Sequence, residues 1–158
     1  MQTYAATPTH RHAQLRILTD HPTQFIDLTD RLHAIVRAAG IQIGFLNVQS
    51  LHTTAAIVLN EHEPLLLSDF VALLERAAPA GASYRHDDFC VRTVNLAPDE
   101  RANGHAHCRS LLLPPSACLN IVDGQLQLGR WQRLFLAELD GPRVRDVSVL
   151  LLASEVAR

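Results

Sequence analysis

The sequence predicts an α+β fold with a mainly antiparallel sheet, and three observations carry that expectation. Runs with strand periodicity occur in both halves of the chain, helical segments lie between them, and tight-turn dipeptides punctuate the C-terminal third. At 158 residues, 47% of them hydrophobic, one core is sufficient, so residues 13–158 are expected to form a single domain. Residues 1–12 read as a flexible leader, because Thr, Pro and His alternate there without apolar periodicity.

Each element follows from a local pattern. Ala13 to Leu18 alternates apolar and polar residues like a half-buried strand. Thr29 then offers a capping hydroxyl, and Leu32, Ile35, Val36 and Ala39 share one helical face until Gly40 stops the helix. Ile41 to Ser50 is rich in β-branched and apolar residues, and a second strand run resumes at Ala55 to Leu59. Pro64 suits a first helical turn, and Leu67, Phe70, Val71 and Leu74 line one face of a helix that Pro79 and Gly81 end. Residues 79–104 are polar and loop-rich, with a short strand predicted at Phe89 to Val94. A third helix is expected over His105 to Leu113, ahead of Pro114-Pro115. Cys118 to Val122, Gln125 to Leu128, Trp131 to Leu139 and Val144 to Ala153 read as strands, with turns at Asp123-Gly124 and Asp140-Gly141-Pro142.

Composition removes several function classes. A net charge of −2 excludes a strongly basic nucleic-acid scaffold and leaves open a local arginine patch. No apolar run reaches membrane-span length and the N-terminus lacks the apolar middle of a signal peptide, so a cytoplasmic protein without membrane contact is expected. Cys90, Cys108 and Cys118 lack CxxC spacing and read as reduced core residues. Histidine is the outlier, with nine in the chain, and imidazole serves both as metal ligand and as proton shuttle near neutral pH.

His52 lies between two apolar strand runs with Thr53 and Thr54 beside it, where it either projects into a pocket or is a satisfied core histidine. His86 sits beside Asp87 and Asp88, which suits a carboxylate-oriented ligand and equally a solvated loop. His105 and His107, at i and i+2 on a helix, lie roughly 200° apart around its axis, so only one can face a shared site. His10, His12, His21, His33 and His62 are assigned to leader, turn or surface. No HExxH, DxD, GxSxG or GxxxxGK motif occurs.

In chain order, His52-Thr53-Thr54-Ala55-Ala56, Tyr84-Arg85-His86, Asn103-Gly104-His105-Ala106-His107, Asp123 to Leu126 with Leu128 to Gln132, and Glu138 to Arg143 resemble the YjbQ family, also called the secondary thiamine-phosphate synthase family. The resemblance runs from about Leu15 to Leu152. It implies an α+β fold, a barrel-like β-sandwich with about three packed helices, assembled as a homotrimer. It also implies a divalent metal ion held by His52, His86 and His107, zinc by donor chemistry, with another transition metal or magnesium as alternatives. The implied activity is thiamine-phosphate synthase-like, joining a pyrimidine diphosphate to a thiazole phosphate with loss of pyrophosphate. Thr53 could donate a hydroxyl to an oxyanion, Glu61 could act as a base, and Arg143 could grip a phosphate or pair with Asp140 or Asp146. A metal-dependent hydrolase and a non-catalytic trimeric metal-binding module are the alternatives. The expected partner is a small phosphorylated substrate, with no nucleic acid.

Overall fold

The computed structural model describes residues 8–154, with side chains described over residues 10–153. Its strands are β1 (Pro8–Leu18), β2 (Gln24–Asp27), β3 (Gly44–Ser50), β4 (Ala55–Glu61), β5 (Ser116–Val122), β6 (Gln125–Leu126), β7 (Gln132–Glu138) and β8 (Val144–Ser154). The helices are α1 (Thr29–Ala39), α2 (Pro64–Ala77) and α3 (Gly104–Leu111), and a 3-10 turn spans Arg85–Asp87. Five strands form one sheet in the order β1-β8-β3-β5-β6, and three form a second in the order β2-β7-β4. Every pairing is antiparallel.

The expected α+β architecture is therefore present. Leu46 and Val48 of β3, Val147, Val149 and Leu151 of β8, and Leu134 and Leu136 of β7 meet in one core between the sheets, with Leu32 and Val36 of α1 in the same cluster. The other face of β7 is also buried, at Phe135 and Ala137, and buried Leu139 follows just past the strand. Leu139 there packs with Leu74 of α2 and Ala106 of α3. This two-sided burial makes β7 read as a near-continuous apolar run instead of an alternating one.

Four expectations need correction. The leader shortens, because residues 8–12 belong to β1, which runs antiparallel to β8 as far as Ser154; residues 1–7 lie outside the described residues. Thr29 does not cap α1, since its hydroxyl accepts the Leu134 N–H at 2.8 Å. Asp27 caps instead, its Oδ1 accepting the Thr29 N–H at 2.8 Å. Phe89 to Val94 forms no strand: the Arg92 guanidinium donates to the carbonyls of His86, Val94 and Asn95, so this segment curls around a side chain and not along a sheet. The three cysteines are free but exposed, not core; Cys118 falls on the outward side of β5, between buried Leu119 and the strand edge. Among the described residues, no helix is long and apolar enough to cross a membrane.

Turn chemistry behaves as the sequence predicts. Asp123 and Gly124 both take positive φ, 52° and 72°, the geometry that a two-residue hairpin loop favours. Gly40 closes α1 at φ 68°. Glu63 caps α2 by accepting the N–H groups of Leu65 and Leu66 at 2.9 and 2.7 Å, with Pro64 in the first turn.

Candidate active site

The ends of several elements meet around a cavity of about 630 Å³. The β3–β4 break contributes His52, Thr53 and Thr54, the β7–β8 connection Asp140 and Arg143, the start of β8 Arg145, the long loop after α2 His86, Arg92 and Glu100, and the start of α3 Asn103 and His107.

Its floor is an ion pair. Glu138 and Arg145 are 0% and 3% exposed, and the guanidinium donates to both carboxylate oxygens, Nε to Oε2 at 2.6 Å and an Nη to Oε1 at 2.5 Å. Thr19 Oγ1 donates to the same carboxylate at 2.9 Å, as do the N–H groups of Leu139 and Asp140 at 2.8 Å each. Arg145 also donates to Thr54 Oγ1 at 3.0 Å, which ties β8 to the start of β4. Burial pushes the Glu138 carboxyl up, but these donors outweigh it and hold the group below its ordinary value.

One layer above, Asp140 gathers three donors. Arg143 approaches Oδ2 with Nε at 2.9 Å and an Nη at 2.7 Å, and Asn103 Nδ2 donates to the same oxygen at 3.0 Å. Arg101 reaches Oδ1 at 3.6 Å and donates to the Asp140 carbonyl at 3.0 Å. Two guanidiniums thus share one carboxylate. Asp99, on the rim, is exposed and in no ion pair among the described residues.

The imidazoles line the same cavity. His86 and His107 bring their ring centroids to 4.5 Å, whereas His105 turns toward Tyr84, with ring centroids 6.4 Å apart. Gly104 permits the turn before them, since a Cβ there would fall 2.5 Å from Tyr84 Cβ. Burial, reinforced by the neighbouring His86, lowers the pKa of His107; burial and the Arg145 charge lower that of His52, against Asp146 and Glu138.

These rings do not, as placed, fit a metal ion. His52 Nε2 accepts the Asp146 N–H at 2.8 Å, and His86 Nε2 lies 3.1 Å from an Arg92 Nη, which itself is 2.5 Å from Glu100 Oε1. Among the described residues, no three His, Cys, Asp or Glu side chains are arranged to hold a cation.

The remaining sequence candidates divide. Thr53 and Arg143 line the cavity, and of its two acidic neighbours Arg143 pairs with Asp140. Glu61 does not join them: it ends β4, a seven-residue strand that starts just after Thr54, so it stands roughly 20 Å along the sheet from the His52 end. His12, His21 and His62 bond instead to Ser148, Asp20 and Asp27. Sequence reasoning missed Glu138, Asp140, Arg145, Arg92 and Asn103 as site residues. The legible signal was a carboxylate and a guanidinium, Glu138 and Arg145, inside otherwise apolar strand runs, where an unpaired charge is costly.

Known relatives share this chain nearly end to end. A UPF0047 protein from Methanothermobacter thermautotrophicus is 39% identical over 136 residues, 86% of this chain and 87% of the relative. The crystal structure of a YbjQ-like protein of unknown function from Sulfolobus solfataricus superposes with a TM-score of 0.81 at 32% identity, covering 93% of this chain and 99% of that one. A hypothetical protein from Aeropyrum pernix superposes with a TM-score of 0.79 at 32% identity, over 92% and 99% of the two chains. The family model described as UPF0047 protein YjbQ-like matches residues 13–154, and the chain belongs to that family.

Proposed function

We propose that the cavity binds a small phosphorylated molecule and carries out group transfer on it. The observation behind this reading is the convergence of Arg101 and Arg143 on the single Asp140 carboxylate, in a wall that also presents Thr53 and His107. A phosphate or diphosphate offers the acceptors and charge that such guanidiniums lack with one carboxylate between them. In the finer form implied by the family resemblance, the transfer joins a pyrimidine diphosphate to a thiazole phosphate, and the arginines hold the departing pyrophosphate. The test is calorimetric titration with inorganic phosphate and pyrophosphate, alongside assay of that coupling. Arg143→Gln should weaken anion affinity by roughly 10–100-fold, the loss of one charge-assisted contact. Wild-type protein that binds neither anion at millimolar concentration would overturn the reading.

A second reading adds a divalent metal ion, zinc by donor chemistry, on His52, His86 and His107. What favours it is the 4.5 Å approach of two imidazoles inside the cavity. It requires His52 to ligate through Nδ1 and Arg92 to leave His86 Nε2. Metal analysis of wild type and His52→Ala tests it: stoichiometric metal lost in the variant supports it, and equal content in both rejects it. Metal without turnover would indicate the non-catalytic module, and phosphate release without coupling the hydrolase. The homotrimer belongs to the same reading; exposed Phe45 and Val122 on the outward face of the larger sheet support it, and light scattering should give three times the mass of one chain.

A further inference from the structure

Asn103 occupies the position immediately before α3, where an asparagine ordinarily turns its side-chain oxygen back onto the first free amides of the helix. Here it does not. Asp87 Oδ1 takes that role, accepting the N–H groups of Asn103 and Gly104 at 2.9 Å each. The Asn103 side chain points the other way, its Nδ2 donating to Asp140 Oδ2 at 3.0 Å. That bond fixes which end of the amide is which, because the reverse orientation would set two acceptor oxygens against each other. The result is a buried acceptor, Asn103 Oδ1, with no hydrogen-bond partner among the described residues, on a side chain that is 7% exposed and lines the cavity. An unmet buried carbonyl is destabilising, and such groups in a ligand cavity are commonly completed by what binds there.

We infer that the ligand carries a hydrogen-bond donor, a hydroxyl or an amine, close to its phosphate, and that Asn103 Oδ1 receives it. The placement next to phosphate follows from Asp140 Oδ2, on which Asn103 and Arg143 both converge. Asn103 is thus a specificity residue, and Asp140 positions it and the anion-binding arginine together. This inference rests on the phosphorylated-ligand reading above.

The test measures the affinities of inorganic phosphate and three esters: ethyl phosphate, 2-hydroxyethyl phosphate and 2-methoxyethyl phosphate. The last two carry an oxygen at the same place, but only the hydroxyl donates. Wild-type protein should bind 2-hydroxyethyl phosphate roughly 5–30-fold more tightly than either of the others, the discrimination expected of a buried acceptor otherwise left unmet. In Asn103→Ala the three esters should agree within about twofold, whatever the change in absolute affinity; Asn103→Leu, which likewise offers no acceptor, serves if the alanine variant fails to fold. A purely structural role for Asn103 would change all affinities together and leave their ratios alone. Equal binding of the esters by wild type, with phosphate bound, would overturn the inference while leaving the phosphorylated-ligand reading standing. Hydroxyl preference that persists in the variants would also overturn it. Failure of all four probes to bind would remove both.

Discussion

The two walls of the cavity solve the problem of placing charge in opposite ways. On the strand side, Glu138 and Arg145 are 0% and 3% exposed, and the carboxylate accepts from one guanidinium, one hydroxyl and two backbone amides. On the loop side, Arg92 and Glu100 pair at 13% and 14% exposure beside His86 at 34%, and Arg92 bonds chiefly to carbonyls of its own loop. The first wall is tied into three separate parts of the chain, at Thr19, Thr54 and Arg145 of β8. The second is held by contacts within about fifteen residues of sequence. The strand side is thus the wall fixed by long-range contacts, and the loop side is held mainly by local ones.

Breaking each wall in turn should give the largest contrast. Glu138→Gln leaves Arg145 buried without its counter-charge and should cost roughly 3–5 kcal/mol, the range for removing one partner of a buried pair. At this chain length, that corresponds to a fall in Tm of roughly 6–20 °C. Glu100→Gln should lower stability far less, because its pair is held within its own loop. Urea denaturation of the two variants measures both; equal losses would erase the distinction between the walls.

A smaller effect separates burial from hydrogen bonding as the cause. The Asp27 side chain is 13% exposed, like the loop pair, but accepts from the Thr29 N–H, Arg133 and His62. Burial raises its pKa and these donors overcome that, holding it at about 2. Because the folded value lies below the unfolded one, its contribution is full above pH ~4 and is lost as pH falls from there through 2. Roughly 2 kcal/mol of stability should disappear over that window in wild type, and the loss should be absent in Asp27→Asn, as read from denaturation midpoints against pH.

The smallest effect is dynamic. Arg92→Ala removes the side chain around which residues 86–95 fold, and should change global stability by under about 1 kcal/mol. Amide exchange should quicken across that loop while β4 and β7 stay protected. Unchanged exchange would mean that Arg92 does not organise the loop.

These contrasts also explain what the sequence did and did not disclose. Strands and turns were legible because alternation, Asp123-Gly124 and Gly40 report local geometry. Phe89 to Val94 misled because its apolar residues look like a strand, while a guanidinium holds it in a curl. The spacing of His105 and His107 established that they diverge, and the structure puts His107 on the cavity. The floor was illegible because Thr19 meets Glu138 across 119 residues and Asn103 meets Asp140 across 37, distances over which no local pattern reports pairing. Asn103 stands where an asparagine ordinarily caps a helix, and only the three-dimensional position of Asp87 shows that its side chain does not do so.

The central claim is that Arg143 and Arg101, not the chain's other arginines, hold an anion beside Asp140. It is tested most directly by following the arginine side-chain Nε resonances of the intact protein during titration with inorganic phosphate. Saturable shifts are expected at Arg143 and Arg101, with Arg109 and Arg133, engaged outside this cavity by Glu75 and Asp27, unmoved. Shifts spread evenly over all arginines, or confined to residues outside the cavity, would contradict it.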